Sequence, residues 1–70
     1  MSWSRAVSSS MVSEIGYDDE TKEMLVTWAK GGQGAYLDVP EDVADACARA
    51  PSVGQYIITE IKSFYSYRRG

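Results

Sequence analysis

The hydrophobic pattern of this chain changes its period at Pro40. Before Pro40, apolar and polar residues alternate in three short segments, which is the period of β-strands. After Pro40, apolar residues recur at spacings of three and four, which is the period of helices. Proline has no amide hydrogen and a fixed φ, so it ends a strand ladder and suits the first turn of a helix. The sequence therefore predicts strands first and helices second.

The predicted strands are joined by short turns. They cover residues 11–17, 24–29 and 35–39. The first connection, Asp18-Asp19-Glu20-Thr21, is rich in residues that bond their own backbone, and the second, Gly31-Gly32-Gln33-Gly34, permits positive φ. Because short turns join antiparallel neighbours, we expect a three-stranded antiparallel meander.

Two helices are expected after the meander. The first covers residues 41–50 and ends at Pro51. The second covers residues 52–65, where Ser52 and Gln55 have the spacing of a capping box. Its apolar stripe consists of Ile57, Ile58, Ile61, Phe64 and Tyr65. The fold class is therefore α+β, of order β-β-β-α-α, with both helices packed on one face of the sheet. We expect one domain over residues 1–70, with residues 1–6 frayed.

The composition excludes several kinds of chemistry. The chain has no histidine and one cysteine, Cys47. A Ser-His-Asp triad, a Cys-His dyad, a Cys/His zinc site and an intrachain disulfide are therefore excluded. No apolar run approaches the ~18 residues of a membrane span, and residues 1–10 have no signal-peptide core. We expect a cytoplasmic protein that is not an enzyme, binds no metal or cofactor and does not associate with membranes.

Charge is distributed unevenly along the chain. Residues 1–60 carry four basic residues and all ten carboxylates, a net charge of −6. Residues 61–70 carry Lys62, Arg68 and Arg69 and no carboxylate side chain, a net charge of +3. Nucleic acid is bound mainly by neutralising many phosphates, which an acidic body disfavours. Two or three cations are enough for a short phosphate-bearing ligand.

Several short motifs, taken in order, resemble the KTSC family of small domains, named after the C-terminal extension of some lysyl-tRNA synthetases. The resemblance covers nearly the whole chain. It rests on Val7-Ser8-Ser9-Ser10, Ile15-Gly16-Tyr17-Asp18, Leu25-Val26-Thr27-Trp28, Tyr36-Leu37-Asp38-Val39-Pro40, Ala50-Pro51-Ser52-Val53-Gly54-Gln55-Tyr56, Ile61-Lys62 and Tyr65-Ser66-Tyr67-Arg68. The chain departs from the family at the central Tyr-x-Tyr, which falls on Gly34-Ala35-Tyr36 and keeps only the second aromatic residue.

The resemblance implies a binding domain without established chemistry. The family also occurs as free-standing proteins in bacteria and phages, and RNA binding has been suggested for it. The charge distribution of this chain disfavours a long RNA footprint.

The C-terminal segment is the strongest candidate for a ligand site. Tyr65, Tyr67, Arg68 and Arg69 combine aromatic rings with cations, and Lys62 lies one turn earlier. Aromatic rings stack on bases, and arginine binds phosphate oxygens in a bidentate manner. The structural alternative is that Tyr65 completes the apolar stripe and the arginines are merely solvated.

Four further residues are weaker candidates. Ser52 opens a helix where an anion can bind, although capping is the favoured role. Ser9, within Ser8-Ser9-Ser10, can contact a phosphate or ribose, or satisfy a sheet edge. Trp28 and Tyr36 lie on neighbouring predicted strands and form an aromatic floor for a purine if they face away from the helices. Core packing is the commoner use of such rings.

Two remaining features favour structural roles. The Asp18-Asp19-Glu20 run lacks the spaced pattern of a calcium loop, so a solvated turn is expected. Cys47 lies among alanines on an apolar helix position, which favours a buried, inert thiol.

Three functions remain open at this point. The leading hypothesis is a non-catalytic binder of a nucleotide-like ligand, acting as a homo-oligomer, with sequestration of a host nucleotide signal by a phage protein as its concrete form. In that case the protein works in the host cytoplasm. We expect Trp28 and its strand neighbours to bury the far side of the sheet against a second copy. The alternatives are an RNA-binding module and a protein-binding inhibitor that uses the sheet face.

Overall fold

The computed structural model describes residues 2–69 and contains one five-stranded antiparallel sheet. The strands are neighbours in chain order, so the sheet is a meander. They are β1 Trp3–Ala6, β2 Val12–Asp18, β3 Glu23–Trp28, β4 Gln33–Tyr36 and β5 Tyr67–Arg69. The α+β class, the antiparallel sheet and the two helices are confirmed, but the sheet has five strands and not three.

The first additional strand, β1, lies where the sequence predicted no strand. Trp3 is opposite Tyr17 of β2, and the two rings stack with centroids 6.0 Å apart. The indole Nε1 of Trp3 donates to Glu41 at 3.2 Å, and Arg5 lies 3.6 Å from Asp45. These contacts with β2 and the first helix hold a serine-rich segment in the sheet. Residues 3–6 of the stretch expected to be frayed thus form a strand.

The second additional strand, β5, contains residues that we expected to follow a helix. Ala35 and Tyr36 of β4 lie opposite Arg68 and Tyr67, respectively. In addition, the Leu37 amide donates to the Ser66 carbonyl at 2.9 Å. A three-residue strand is too short to show a period in the sequence, so only pairing with β4 identifies it.

The first helix, α1 Glu41–Arg49, matches the prediction and begins after Pro40. The second begins as α2 Val53–Tyr56 and continues as a π-helical turn over Ile57–Ile61. In that turn the Lys62 amide donates to the Ile57 carbonyl at 2.7 Å. The Thr59 hydroxyl also donates to the Gln55 carbonyl at 2.9 Å, a bond that commonly bends helices. The regular helix therefore ends well before residue 65.

The predicted capping box is wrong. Ser52 occupies the N-cap position of α2, but its side chain makes no capping hydrogen bond. At Gly54, a β-carbon would lie 2.8 Å from the Met11 sulfur. The start of α2 is therefore defined by the close approach of the β1–β2 loop.

The core lies between one face of the sheet and the helices. Ile15, Met24 and Val26 face the helices and are fully buried, together with Cys47 of α1 and Ile61 of the π-turn. Met24 and Val26 lie two residues apart on β3, which is the spacing of side chains on one face of a sheet. Within residues 2–69, no helix covers the other face of the sheet, and we call it the open face.

The third predicted strand is shorter than expected and shifted toward the N-terminus. Asp38 has a φ of 56°, which is incompatible with a strand. The chain leaves the sheet after Tyr36, although Val39 remains fully buried. Its carbonyl accepts a hydrogen bond from the Tyr17 hydroxyl at 2.7 Å.

Candidate functional site

Three aromatic residues come together on the helix-covered face of the sheet. Tyr36 lies opposite Met24 in β3 and opposite Tyr67 in β5. Directly opposed residues of antiparallel strands share a face, and Trp28 shares the face of Met24 because it lies four residues further along β3. Trp28 and Tyr36 therefore do not form a floor on the open face.

Direct contacts join the three aromatic residues. The indole Nε1 of Trp28 donates to the Tyr67 hydroxyl at 2.9 Å. The ring centroids of Tyr36 and Tyr67 are 4.9 Å apart, and those of Trp28 and Tyr67 are 6.4 Å apart. Burial raises the pKa of Tyr36, with a smaller contribution from Tyr67. The Tyr36 phenol is therefore neutral at physiological pH.

A cavity of about 320 Å³ lies beside this aromatic cluster. Its lining residues are Ser10, Met11, Trp28 and Lys30. The β1–β2 loop and the β3–β4 turn meet there, since the Ala29 amide donates to the Met11 carbonyl at 2.8 Å. We call this space the Trp28 cavity.

The β3–β4 turn carries the cation of the Trp28 cavity. Gly31 and Gly32 have φ angles of 104° and 88°, a conformation that other residues rarely adopt. Lys30 precedes them and is exposed. The sequence pattern did not identify Lys30 or Met11 as site residues, whereas Ser10 belongs to the Ser8-Ser9-Ser10 run considered as a possible ligand contact. A lysine beside a tight glycine turn, far from the acidic turn of the preceding hairpin, was the available signal.

The two arginines of β5 lie on opposite faces of the sheet. Arg69 is opposite Gly34, on the side of Trp28 and Tyr36. Arg68 is opposite Ala35, on the open face, and its guanidinium lies 2.8 Å from the Glu23 carboxylate. Adjacent strand residues alternate in direction, so the two arginines do not converge on one phosphate.

Lys62 and Tyr65 lie at the end of the second helix. Lys62 is exposed and follows the π-turn. Tyr65 is half-buried and packs against the core, and its amide donates to the Ile61 carbonyl at 3.0 Å. Tyr65 therefore completes the apolar stripe, which was the structural alternative to a ligand contact.

Ser9 shapes the backbone of the β1–β2 loop. Its hydroxyl accepts hydrogen bonds from the amides of Met11 at 3.2 Å and Val12 at 3.4 Å. The residue thus holds the loop that supplies Ser10 and Met11 to the Trp28 cavity.

The open face carries a broader groove of about 540 Å³. Leu25, at 42% exposure, lies in it beside the carboxylates Glu14 and Asp18. Its lining contains no lysine or arginine among residues 2–69. Trp28 does not lie on the open face, so its expected place on the far side of the sheet is wrong; its strand neighbour Leu25 is the exposed apolar side chain of that face among residues 2–69.

Cys47 is inaccessible to solvent. It is fully buried, and burial raises the pKa of its thiol to about 11. The thiol is therefore protonated near neutral pH and poorly suited to nucleophilic attack.

Across residues 2–69, acidic and cysteine side chains form no cluster of three or more with the placement that a metal ion requires. Within the same range, no helix has the length and apolar character needed to cross a bilayer.

Comparisons with known proteins agree with this architecture. The sequence model of the KTSC domain matches residues 8–65. The crystal structure of a KTSC domain protein from Yersinia pestis superposes with a TM-score of 0.89 at 28% sequence identity, covering 100% of this chain and 99% of the other. Curated protein sequences gave no match. The motifs, the family match and the shared fold together show that this chain belongs to the KTSC domain family.

Proposed function

We propose that this KTSC domain is a non-catalytic binding protein that holds a nucleotide-like ligand in the Trp28 cavity. The cavity combines an indole, a thioether, a hydroxyl and an ammonium group. A base stacks on an aromatic side chain with about 1–3 kcal/mol, and an ammonium group binds phosphate as a point charge. The volume of about 320 Å³ is at the lower end of the range for small-ligand sites.

The contrast in charge between the two cavities is the observation that carries this proposal. Lys30 lines the Trp28 cavity, which has no carboxylate among its lining residues within 2–69. The open-face groove instead has Glu14 and Asp18. Because like charges repel, an anionic ligand favours the Trp28 cavity. Arg69 lies on the same side of the sheet, outside the lining of the cavity, and its charge also favours an anionic ligand on that side.

A binding role also fits the state of the candidate reactive groups. The Cys47 thiol is buried with its pKa raised to about 11, and the Tyr67 hydroxyl accepts a hydrogen bond from Trp28. The pKa of Tyr56 is also raised, and burial is the largest of several causes. The raised pKa values keep the Cys47 thiol and the Tyr56 phenol protonated near neutral pH, which supports stoichiometric binding over turnover.

We also propose that the protein self-associates through the open face, with Leu25 instead of Trp28 as the apolar contact. The exposed Leu25 on the open face is the apolar group that a second copy would bury. In a phage, a homo-oligomer of this kind would act by removing a nucleotide signal of the host from solution.

The decisive experiment is calorimetric titration with adenosine 5′-monophosphate. Adenosine, which lacks the phosphate, and ribose 5-phosphate, which lacks the base, are the matched control ligands. We expect the complete nucleotide to bind at least tenfold more tightly than either fragment, because stacking and charge both contribute. Equal affinity for adenosine and the nucleotide, or no binding of any of the three, would contradict the proposal.

Two measurements separate the alternatives. A single-stranded RNA that bound with an affinity falling steeply as salt increases would indicate many phosphate contacts and an RNA-binding module. Native mass spectrometry of the protein purified from expressing cells would report the copy number and any retained small molecule. A strict monomer would remove self-association from the proposal.

A further inference from the structure

We propose that Tyr67 is the positioning residue of the Trp28 cavity, and that Gly34 must lack a side chain for Tyr67 to take this place. The hydrogen bond from the Trp28 Nε1 to the Tyr67 hydroxyl fixes the orientation of the indole. The consequence for ligand binding rests on the function proposed above. The placement of Tyr67 against Trp28, and the space that Gly34 leaves for it, do not depend on that function.

Gly34 provides the space that the Tyr67 ring occupies. A β-carbon at Gly34 would overlap the hydroxyl oxygen and Cζ of Tyr67 and lie 2.6 Å from its Cε1. Backbone conformation does not explain this glycine, since positive φ occurs at Gly31 and Gly32 and not at Gly34. A glycine inside a strand weakens it and commonly marks a close approach. Here the close approach is made by the phenol ring of β5.

The position of Tyr67 links two strands to the cavity. Its ring is tilted by 59° to Trp28 and by 55° to Tyr36. Tyr36 is buried and fixed in the core, whereas Tyr67 is 43% exposed on the edge strand. The Tyr67 phenol therefore connects the rigid core at Tyr36 to the half-buried indole of Trp28 and limits the movement of that indole.

This arrangement determines how the indole can recognise a ligand. Its N–H is already bonded to Tyr67, so the ligand contacts the ring and not the N–H donor. An indole that is ordered in advance also loses little side-chain freedom on binding. We infer a site that recognises a planar group by stacking and tolerates different hydrogen-bonding edges.

Hydrogen exchange tests the placement of Tyr67 against Trp28 without any ligand. In a Trp3→Phe background, the remaining indole N–H resonance reports on Trp28 alone. Tyr67→Phe keeps the ring and removes only the hydroxyl, so we expect the indole N–H to exchange roughly tenfold faster. The melting temperature should change by only a few degrees. Unchanged exchange would overturn the positioning role.

A double-mutant cycle tests the role of Gly34. We expect Gly34→Ala to lower the melting temperature in the wild-type background, because the new β-carbon displaces the Tyr67 ring. In a Tyr67→Ala background the same substitution should be neutral or stabilising, since a strand glycine is then simply replaced. An equal loss in both backgrounds would show that Tyr67 is not the reason for the glycine.

Titration with adenosine 5′-monophosphate then tests the consequence for binding. We expect Tyr67→Phe to weaken binding severalfold to tenfold, with folding intact by circular dichroism. Unchanged affinity in a variant whose indole exchange has accelerated would overturn the link to ligand recognition. If the wild-type protein does not bind the nucleotide, the proposed function fails, while the exchange experiment still decides the positioning role.

Discussion

The two faces of the sheet differ in nearly every physical property. The helix-covered face buries large apolar side chains such as Ile15 and Met24 and has the Trp28 cavity at one end. Among residues 2–69, the open face combines small and polar residues, carboxylates, Arg68 and one large exposed apolar residue, Leu25. Leu25 and Val26 are adjacent in the chain, yet one is 42% exposed and the other fully buried.

If the proposed function holds, this difference separates the residues that stabilise the domain from those that bind the ligand. A chain of 70 residues has room for one core, and the helices supply that core on one face only. The other face is free to vary in charge without affecting the packing. The cavity lies where the covered face ends, so its aromatic wall is supported by the core and its cation comes from a turn.

The largest expected effect is the difference in unfolding free energy lost by a substitution on the covered face and by one on the open face. Ile15→Ala should cost about 2–5 kcal/mol of unfolding free energy, because it leaves a cavity in the core. Leu25→Ala should cost less than about 1 kcal/mol, since its side chain is partly in water. Urea denaturation measures both. A large loss for Leu25→Ala that depends on protein concentration would show that a second copy covers the open face.

Reversing the charge of Lys30 tests whether the Trp28 cavity favours an anionic ligand. We expect Lys30→Glu to weaken the binding of adenosine 5′-monophosphate about 10- to 100-fold, because a charged contact of ~1.5–3 kcal/mol is lost. Lys22→Glu makes the same change in net charge at the opposite end of the sheet and is the matched control. Calorimetry should show near wild-type affinity for the control. Equal losses in both variants would indicate that only net charge matters.

The covered face should also determine the stability at alkaline pH. The thiol of Cys47 has a folded pKa of about 11 against an ordinary value of 9.0. The unfolded chain therefore loses this proton first, and stability that is complete below pH 9 falls as the pH rises toward 11. Cys47→Ala should flatten the decline that begins at pH 9 in urea titrations. The pKa values of the buried Tyr17 and Tyr36 and of the half-buried Tyr56 are also raised, so a decline above pH 10 remains in both proteins.

The smallest expected effect compares the two arginines of β5. Arg69→Ala should weaken nucleotide binding two- to fivefold, whereas Arg68→Ala should leave it unchanged because Arg68 lies on the open face. Loss of the Arg68–Glu23 ion pair should cost at most ~1 kcal/mol of stability, as is usual for exposed pairs. An equal effect of both arginines on affinity would contradict their placement on opposite faces.

Much of the fold could be predicted because its central strands have a clear period. The alternation in β2 and β3 and the break at Pro40 identify the middle of the sheet and the start of α1. The edge strands β1 and β5 could not be predicted in this way. Their pairing depends on contacts between distant residues, such as Trp3 with Tyr17 and Tyr67 with Trp28.

The candidate site was predictable only in part, for a related reason. Trp28, Tyr36 and Tyr67 were identified by residue type, and the structure brings these three together. Their arrangement depends on register, which placed Arg68 and Arg69 on opposite faces. Lys30 was missed because its one signal, a lysine beside a glycine turn, does not form a repeating pattern in the sequence.

The position of β5 in the chain has a consequence for folding. Strands β2, β3 and β4 each follow their partner after a short connection, but both helices intervene between Tyr36 and Tyr67. Closing this long loop costs more chain entropy than closing a hairpin. We therefore expect the fifth strand to dock last, so that Tyr67 reaches Trp28 in the final step. The change in indole fluorescence would then occur when the native state forms. The Trp28 cavity would be complete only in molecules that have finished folding.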